Sequence, residues 1–280
     1  MEQLSSAKTK MKIFAKIIVI MATSAMTFSG FAADEGRKKI DPATEPISKV
    51  VVQVAQLPGI SKGAGNGVVV GSEACHVLTN FHVAYGKGQK PEGGMILVDN
   101  QEVGHVVEVG VDLDTKTGTF RRRIKARVVE FGNFEEGNSM GMRGDLAMLK
   151  LDECLGKQYG LVKVEKPEQG QVAPLGALTV LGFSKITETK FALFAEKTCG
   201  AVQKTPIAGL FVSTCKIIAG ASGSPVLKQD KNGQWLLVGM QTGELTLKGG
   251  EMIAYALHSS TIAPFVESVL GSEPIVMSPR

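Results

Sequence analysis

The sequence predicts an all-β protein that closes with a single α-helix. Three observations carry this. Short runs of Val, Ile, Leu and Thr recur along the chain with Gly, Asn, Asp and Lys between them. An Asn-Gly pair at 232–233 supplies a tight hairpin turn. Only the C-terminal stretch places apolar residues at helical spacing. Many short strands with turn signals between them build a sandwich or a barrel.

The first segment stands apart from that pattern. Lys8, Lys10, Lys12 and Lys16 precede the apolar stretch from Ile17 to Ala22, which continues through Met26 and Phe28 and ends at Gly30, Ala32 and Ala33. A basic start, a short apolar middle and a small-residue end are the parts of a secretory signal peptide. Residues 1–32 are therefore expected to be removed on export, with Met11 a second possible start. A permanent membrane anchor fits less well. The stretch from Ile17 to Ala33 is short of the roughly 20 apolar residues a spanning helix needs, and Thr23, Ser24, Thr27, Ser29 and Gly30 dilute it.

Loss of residues 1–32 takes four lysines and Glu2 from 31 basic and 27 acidic residues, so the net charge falls from +4 to +1. That balance gives no case for nucleic-acid binding. Arg121, Arg122 and Arg123 with Lys125 and Arg127 form a local basic run, read as the solvated side of a hairpin. The 44% hydrophobic content is that of an ordinary folded domain, and 280 residues suffice for a substantial core.

Residues 33–46 are polar and proline-containing, a flexible lead-in. Strands are then expected at Val50–Val54, Val68–Val70, Val77–Thr79, Met95–Val98, Val106–Val109, Leu146–Leu151, Leu178–Gly182, Leu210–Thr214 and Leu236–Gln241. Asp230-Lys231-Asn232-Gly233 joins two strands. Ser259, Ser260 and Thr261 offer cap oxygens for the helix, Pro264 sits in its first turn, and Ile262, Phe265, Val266 and Val269 form its apolar face before Gly271.

Three segments carry chemistry. Val77–Val83 runs a strand into His82, Arg143–Leu151 opens an apolar strand with Asp145, and Ile218–Val226 holds Ser222 between Gly220 and Gly223. A serine hydroxyl becomes a nucleophile when an imidazole takes its proton. A carboxylate behind the ring fixes its tautomer and stabilises the imidazolium. The N–H groups of Gly220 and Ser222 are the candidate donors to the oxyanion that forms. Each segment alone has a plainer reading as a turn or a core residue; their order in one exported all-β chain is what joins them.

That set resembles the chymotrypsin/trypsin family of serine peptidases. Thr-Asn-Phe-His-Val and Gly-Ala-Ser-Gly-Ser-Pro are closest to its bacterial glutamyl-endopeptidase-like and HtrA-like branches. The resemblance implies two packed six-stranded antiparallel β-barrels and a C-terminal helix. It spans residues 47–280, with the first barrel over about 47–165, the second over about 170–258 and the helix over about 260–270. It further implies a triad of His82, Asp145 and Ser222 in the cleft between barrels, and a strand carrying Gln241, Thr242 and Gly243 whose backbone pairs with an extended polypeptide substrate. Lys216, six residues before Ser222, falls at the floor of the primary pocket. There it either favours an acidic residue before the cut bond or snorkels to water. No aspartate is present for a preference for Lys or Arg.

Departures from the family pattern are equally specific. Ala221 precedes the serine where zymogen-activated members have an aspartate, so activation by a new N-terminus is not expected. His82 and Asp145 are 63 positions apart, a long separation, and the 58 residues after Ser222 leave no room for a PDZ domain. The four cysteines of an exported chain allow three connectivities. On the family's fold the pairs are Cys75 with Cys154 in the first barrel and Cys199 with Cys215 beside the serine loop.

No cofactor or metal is expected: no Cys-x-x-Cys is present, and Asp112–Gly118 lacks the ligands of a calcium loop. His76, His105 and His258 carry no catalytic pattern, and Ser224 lacks the glycines that flank Ser222. The sequence thus predicts a periplasmic or extracellular serine endopeptidase acting on polypeptides through an acyl-enzyme. The rival is a catalytically silent module of the same fold that binds extended peptides. A hydrolase acting on another ester is not favoured, because the α/β-hydrolase nucleophile needs a strand–turn–helix context and a different triad order.

Overall fold

The structure, a computed structural model, describes residues 37–57, 64–71, 73–85, 87–89, 95–97, 103–133, 141–160, 162–202, 208–216, 218–246 and 252–271. The expected leader at residues 1–32 lies outside them.

The chain opens with β1 (Lys38–Ile40), β2 (Val51–Gln56), β3 (Ala64–Val70), β4 (His76–Thr79) and the single-turn α1 (Phe81–Tyr85). A small ribbon of β5 (Lys87–Gln89) and β6 (Met95–Leu97) follows, then β7 (Val106–Asp114), β8 (Thr119–Phe131) and β9 (Ala147–Leu151). Strands β2, β3, β4, β9, β8 and β7 close into the first barrel. Its valine-rich runs are buried on both faces, which is why they read as continuous rather than alternating. Val52, Val54, Val69, Val77 and Leu149 fill the barrel interior, whereas Val51, Val68, Val70, Leu78 and Met148 face the other half of the molecule.

β8 does alternate. Phe120, Ile124, Ala126 and Val128 are buried while Arg121, Arg123, Lys125 and Arg127 are exposed, so the basic run is this strand's solvent side. Arg121, Arg122, Arg123 and Arg127 are each paired with a neighbouring carboxylate. The turn from β7 to β8 is closed by Asp114, whose Oδ1 accepts from the N–H groups of Lys116 and Thr117.

After β10 (Lys163–Val164) come β11 (Ala177–Lys185), β12 (Phe191–Val202), β13 (Leu210–Ser213), β14 (Pro225–Gln229), β15 (Trp235–Thr246), β16 (Met252–His258) and α2 (Ser259–Leu270). The order β12-β11-β14-β15-β16-β13 closes through a β12–β13 pairing into a second six-stranded barrel. The turn between β14 and β15 takes the Asn-Gly form, with Asp230 Oδ1 accepting from Asn232 N and Gln234 N and Gly233 at φ 77°. Two closed antiparallel barrels and a C-terminal helix are thus the architecture. They share one apolar contact in which the Phe120 ring meets Phe183 and Phe191 at centroid distances of 5.1 and 5.2 Å. α2 adds Ile262 and Val266 to that contact.

Two local expectations differ. The lead-in is not free along its length: Arg37 is buried and β1 pairs antiparallel with β12, Lys38 opposite Ala195. The reason is an open edge. β12 spans 12 residues, but β13 covers only Ala201 and Val202, leaving the stretch around Ala195 for another strand. The helix cap also differs. Its N-cap is His258, whose side chain accepts from Ser260 N, rather than a serine or threonine.

Candidate active site

The residues singled out by sequence come from elements that end at the contact between barrels. His82 is the second residue of α1, three positions beyond the end of β4. Asp145 precedes β9 and is 1% exposed. Its Oδ2 lies 2.8 Å from His82 Nδ1 and its Oδ1 3.0 Å, and Oδ1 also accepts from the His82 backbone N–H at 3.0 Å. One carboxylate therefore holds both the ring and the backbone of the histidine. It fixes Nδ1–H as the donor and leaves Nε2 as the acceptor.

Asn80, two residues before His82, joins this unit to the second barrel. Its Nδ2 donates to Asp145 O at 2.9 Å and to Thr242 Oγ1 at 3.1 Å. The negative charge of Asp145 also reaches Tyr255. The burial of that phenol, with the carboxylate a smaller second cause, raises its pKa far above the ordinary value.

Ser222 sits in the loop between β13 and β14. Gly220 and Gly223 in this loop have φ of 84° and 80°, and a Cβ at Gly223 would lie 1.9 Å from Asn66 O, so only glycine fits there. Gly65 is wedged between the Ser222 carbonyl and the side chain of Val83, which follows the histidine; a Cβ there would lie 2.8 Å from Ser222 O and 2.6 Å from Val83. The serine loop and the histidine turn are thus packed on opposite sides of one glycine.

The Ser222 hydroxyl donates to Thr242 O at 3.4 Å, and among the described residues no hydrogen bond joins it to the His82 ring. The N–H groups of Gly220 and Ser222 have no intramolecular partner among the described residues. Ser224 is fully buried, where its hydroxyl cannot meet a substrate, while Ser222 is half-buried.

A model of the trypsin-like peptidase domain matches residues 65–240. The chain belongs to the trypsin-like peptidase family. A comparison with curated proteins finds no match. The match takes in His82, Asp145 and Ser222 and reaches into both barrels of this trypsin-like peptidase domain, with β2 and β16 outside it.

The residues expected on the substrate side of the trypsin-like domain are placed unequally. Gln241 has both backbone groups committed to the serine loop: its O accepts from Gly223 N at 2.8 Å and its N donates to Ser224 O at 2.9 Å. Thr242 is skipped by the β15–β16 ladder, which passes from Gln241 to Gly243, and its carbonyl faces Ser222. Lys216 is exposed, and its backbone N–H donates to Glu196 Oε2 at 2.8 Å. Disulfides join Cys75 to Cys154 and Cys199 to Cys215. No group of three or more His, Cys, Asp or Glu suited to a metal ion occurs among the described residues.

Sequence reasoning missed Asn66. It is fully buried and lies in the first barrel, yet its Nδ2 donates to Gly220 O at 2.7 Å and Phe183 O at 3.1 Å. Its Oδ1 accepts from Phe183 N at 2.7 Å, and its backbone N donates to Ser222 O at 2.7 Å. The available signal was an asparagine between Gly65 and Gly67 at the start of a valine strand, where a polar amide has no place unless it is bonded.

Proposed function

We propose that this chain is an exported serine endopeptidase that hydrolyses polypeptides through an acyl-enzyme, with His82, Asp145 and Ser222 as its triad. The observation that carries the reading is the double hold of buried Asp145 on His82. A structural histidine needs no carboxylate bonded to both its ring and its backbone, whereas a catalytic base needs its tautomer fixed and its cation stabilised.

In the proposed cycle His82 Nε2 takes the Ser222 Oγ proton as Oγ bonds to the scissile carbonyl carbon. The carbonyl π electrons move to oxygen, which the Gly220 and Ser222 N–H groups receive. The imidazolium then passes its proton to the leaving amine as the C–N bond breaks. Water repeats the sequence against the acyl-enzyme and frees Ser222. In free enzymes the catalytic hydrogen bonds are often loose and tighten once substrate is bound, which accommodates a Ser222 hydroxyl turned to Thr242 O. The carbonyl of Thr242, left out of the β15 ladder, is the first backbone group of that strand offered to an extended peptide.

Export is part of the proposal, on the leader pattern of residues 1–32 with cleavage near Ala32 and on two disulfides suited to an oxidising compartment. Among the described residues no helix is long and apolar enough to cross a membrane. The test is fluorophosphonate labelling of the purified protein. Labelling of the wild type that disappears in Ser222→Ala supports the enzyme; no labelling of the wild type, with peptide binding retained, replaces it with the silent module.

A further inference from the structure

Arg37 is the least expected buried charge in the molecule. It is 4% exposed, and the antiparallel register of β1 on β12 continues to place it opposite Glu196, itself 5% exposed. Arg37 Nε lies 3.8 Å from Glu196 Oε2, and Arg37 Nη2 donates to Gln241 Oε1 at 2.6 Å. A cation taken out of water is retained only where surrounding groups compensate it. Here Nε and Nη1 have no hydrogen-bond partner among the described residues, so the compensation comes mainly from the Glu196 charge and one amide oxygen.

Both partners of Arg37 hold the segment that presents Ser222. Glu196 Oε2 accepts from the N–H of Lys216, next to the Cys199–Cys215 bridge and at the entrance to the serine loop. Gln241 clamps the loop's exit through Gly223 N and Ser224 O. The residue before the serine, Ala221, offers no charge for an ion pair at that point of the loop. Burial lowers the Arg37 pKa to about 10, with Glu196 opposing the fall, and the guanidinium remains protonated at neutral pH.

We infer that Arg37 is a positioning residue for the reaction: its buried guanidinium, delivered by the N-terminal segment, couples Glu196 and Gln241 and thereby fixes both ends of the Ser222 loop. The inference rests on the enzyme reading above. It makes residues 37–40 a permanent part of the active domain, so maturation must cut before Arg37. Misplacement of a catalytic group by a fraction of a bond length acts on kcat rather than on ground-state affinity.

The test compares the wild type with Arg37→Met/Glu196→Gln, which removes both charges at nearly constant volume, and with Arg37→Lys. Readouts are fluorophosphonate labelling rate, kcat and KM on a panel of peptides varied at the residue before the cut bond, and near-ultraviolet circular dichroism. The double variant is expected to stay folded and to lose about 10- to 100-fold in labelling rate and kcat, equally across the panel and with KM little changed. Arg37→Lys, which keeps the charge, is expected to recover part of that loss. Wild-type rates in the folded double variant overturn the inference. A loss confined to KM for peptides with an acidic residue also overturns it and makes Arg37 a side-chain receptor. If the double variant does not fold, Gln241→Met, which cuts only the link to β15, must show the same kcat loss or the role is rejected. A wild type that does not label removes the enzyme reading itself, and the Arg37 role with it.

Discussion

Asn66 spends every polar group of its side chain on the opposite barrel, and of the four bonds it makes to that barrel two end on the serine loop. Removing it leaves both backbone groups of buried Phe183 without that partner and frees the carbonyl of exposed Gly220. An orphaned buried polar group costs about 1–3 kcal/mol, and water entering the gap recovers part of that. Asn66→Ala is therefore expected to lose about 3 kcal/mol of stability in urea unfolding and about 10-fold or more in labelling rate. Asn66→Asp is expected to be worse in both, because a carboxylate would face the carbonyl oxygens of Gly220 and Phe183. Equal labelling rates in folded Asn66→Ala and wild type would sink its role in positioning the loop. At this scale the sequence showed His82, Asp145 and Ser222, because each lies in a local pattern of glycine and strand residues. It did not show Asn66, Glu196 or Arg37, since their partners lie 117 to 204 positions away for Asn66 with Phe183 and Arg37 with Gln241.

The helix α2 shows how an element end is tuned by one side chain. His258 Nδ1 accepts from Ser260 N at 3.2 Å, a bond only the neutral ring can make at that atom. Burial holds its pKa below 6.5; Lys228 adds to the fall and Glu165 opposes it. Burial lowers the His105 pKa in the same way. The sign follows directly: below pH 6.5 the unfolded chain takes up protons that the folded chain resists, so stability is lost as pH falls from there towards the folded-state values. The melting temperature is expected to drop between about pH 7 and about pH 5.5, and His258→Asn, which supplies a capping oxygen in place of the ring nitrogen, is expected to flatten that part of the curve. An unchanged slope in the variant would assign the drop elsewhere. The strands of both barrels were legible as apolar runs, and the N-cap was not, because histidine is not a residue that local propensity places there.

For the molecule as a whole, two covalent ties act on loops of very different length. Cys75–Cys154 closes a separation of 79 positions within the first barrel, and Cys199–Cys215 one of 16 beside the serine loop. If restriction of the unfolded chain dominates, the longer tie contributes about 4 to 5 kcal/mol and the shorter about 3 kcal/mol. Guanidinium unfolding of Cys75→Ala/Cys154→Ala and Cys199→Ala/Cys215→Ala measures both. The first pair is expected to lose more stability, and the second more labelling rate for each unit of stability lost. The reverse order would show that the bridge beside the loop is structural alone.

The sequence by itself determined the class of the fold, the Asn-Gly hairpin turn and the three residues proposed as the triad, because periodicity, glycine placement and motif order are written over a few neighbouring positions. Tertiary structure alone decided that the N-terminal segment is a strand on β12, that a histidine caps the last helix, that Asn66 bonds to the serine loop and that buried Arg37 reaches Glu196 and Gln241. Those outcomes depend on which edge is left open and which buried polar group lacks a partner. Neither exists until distant segments have closed into barrels.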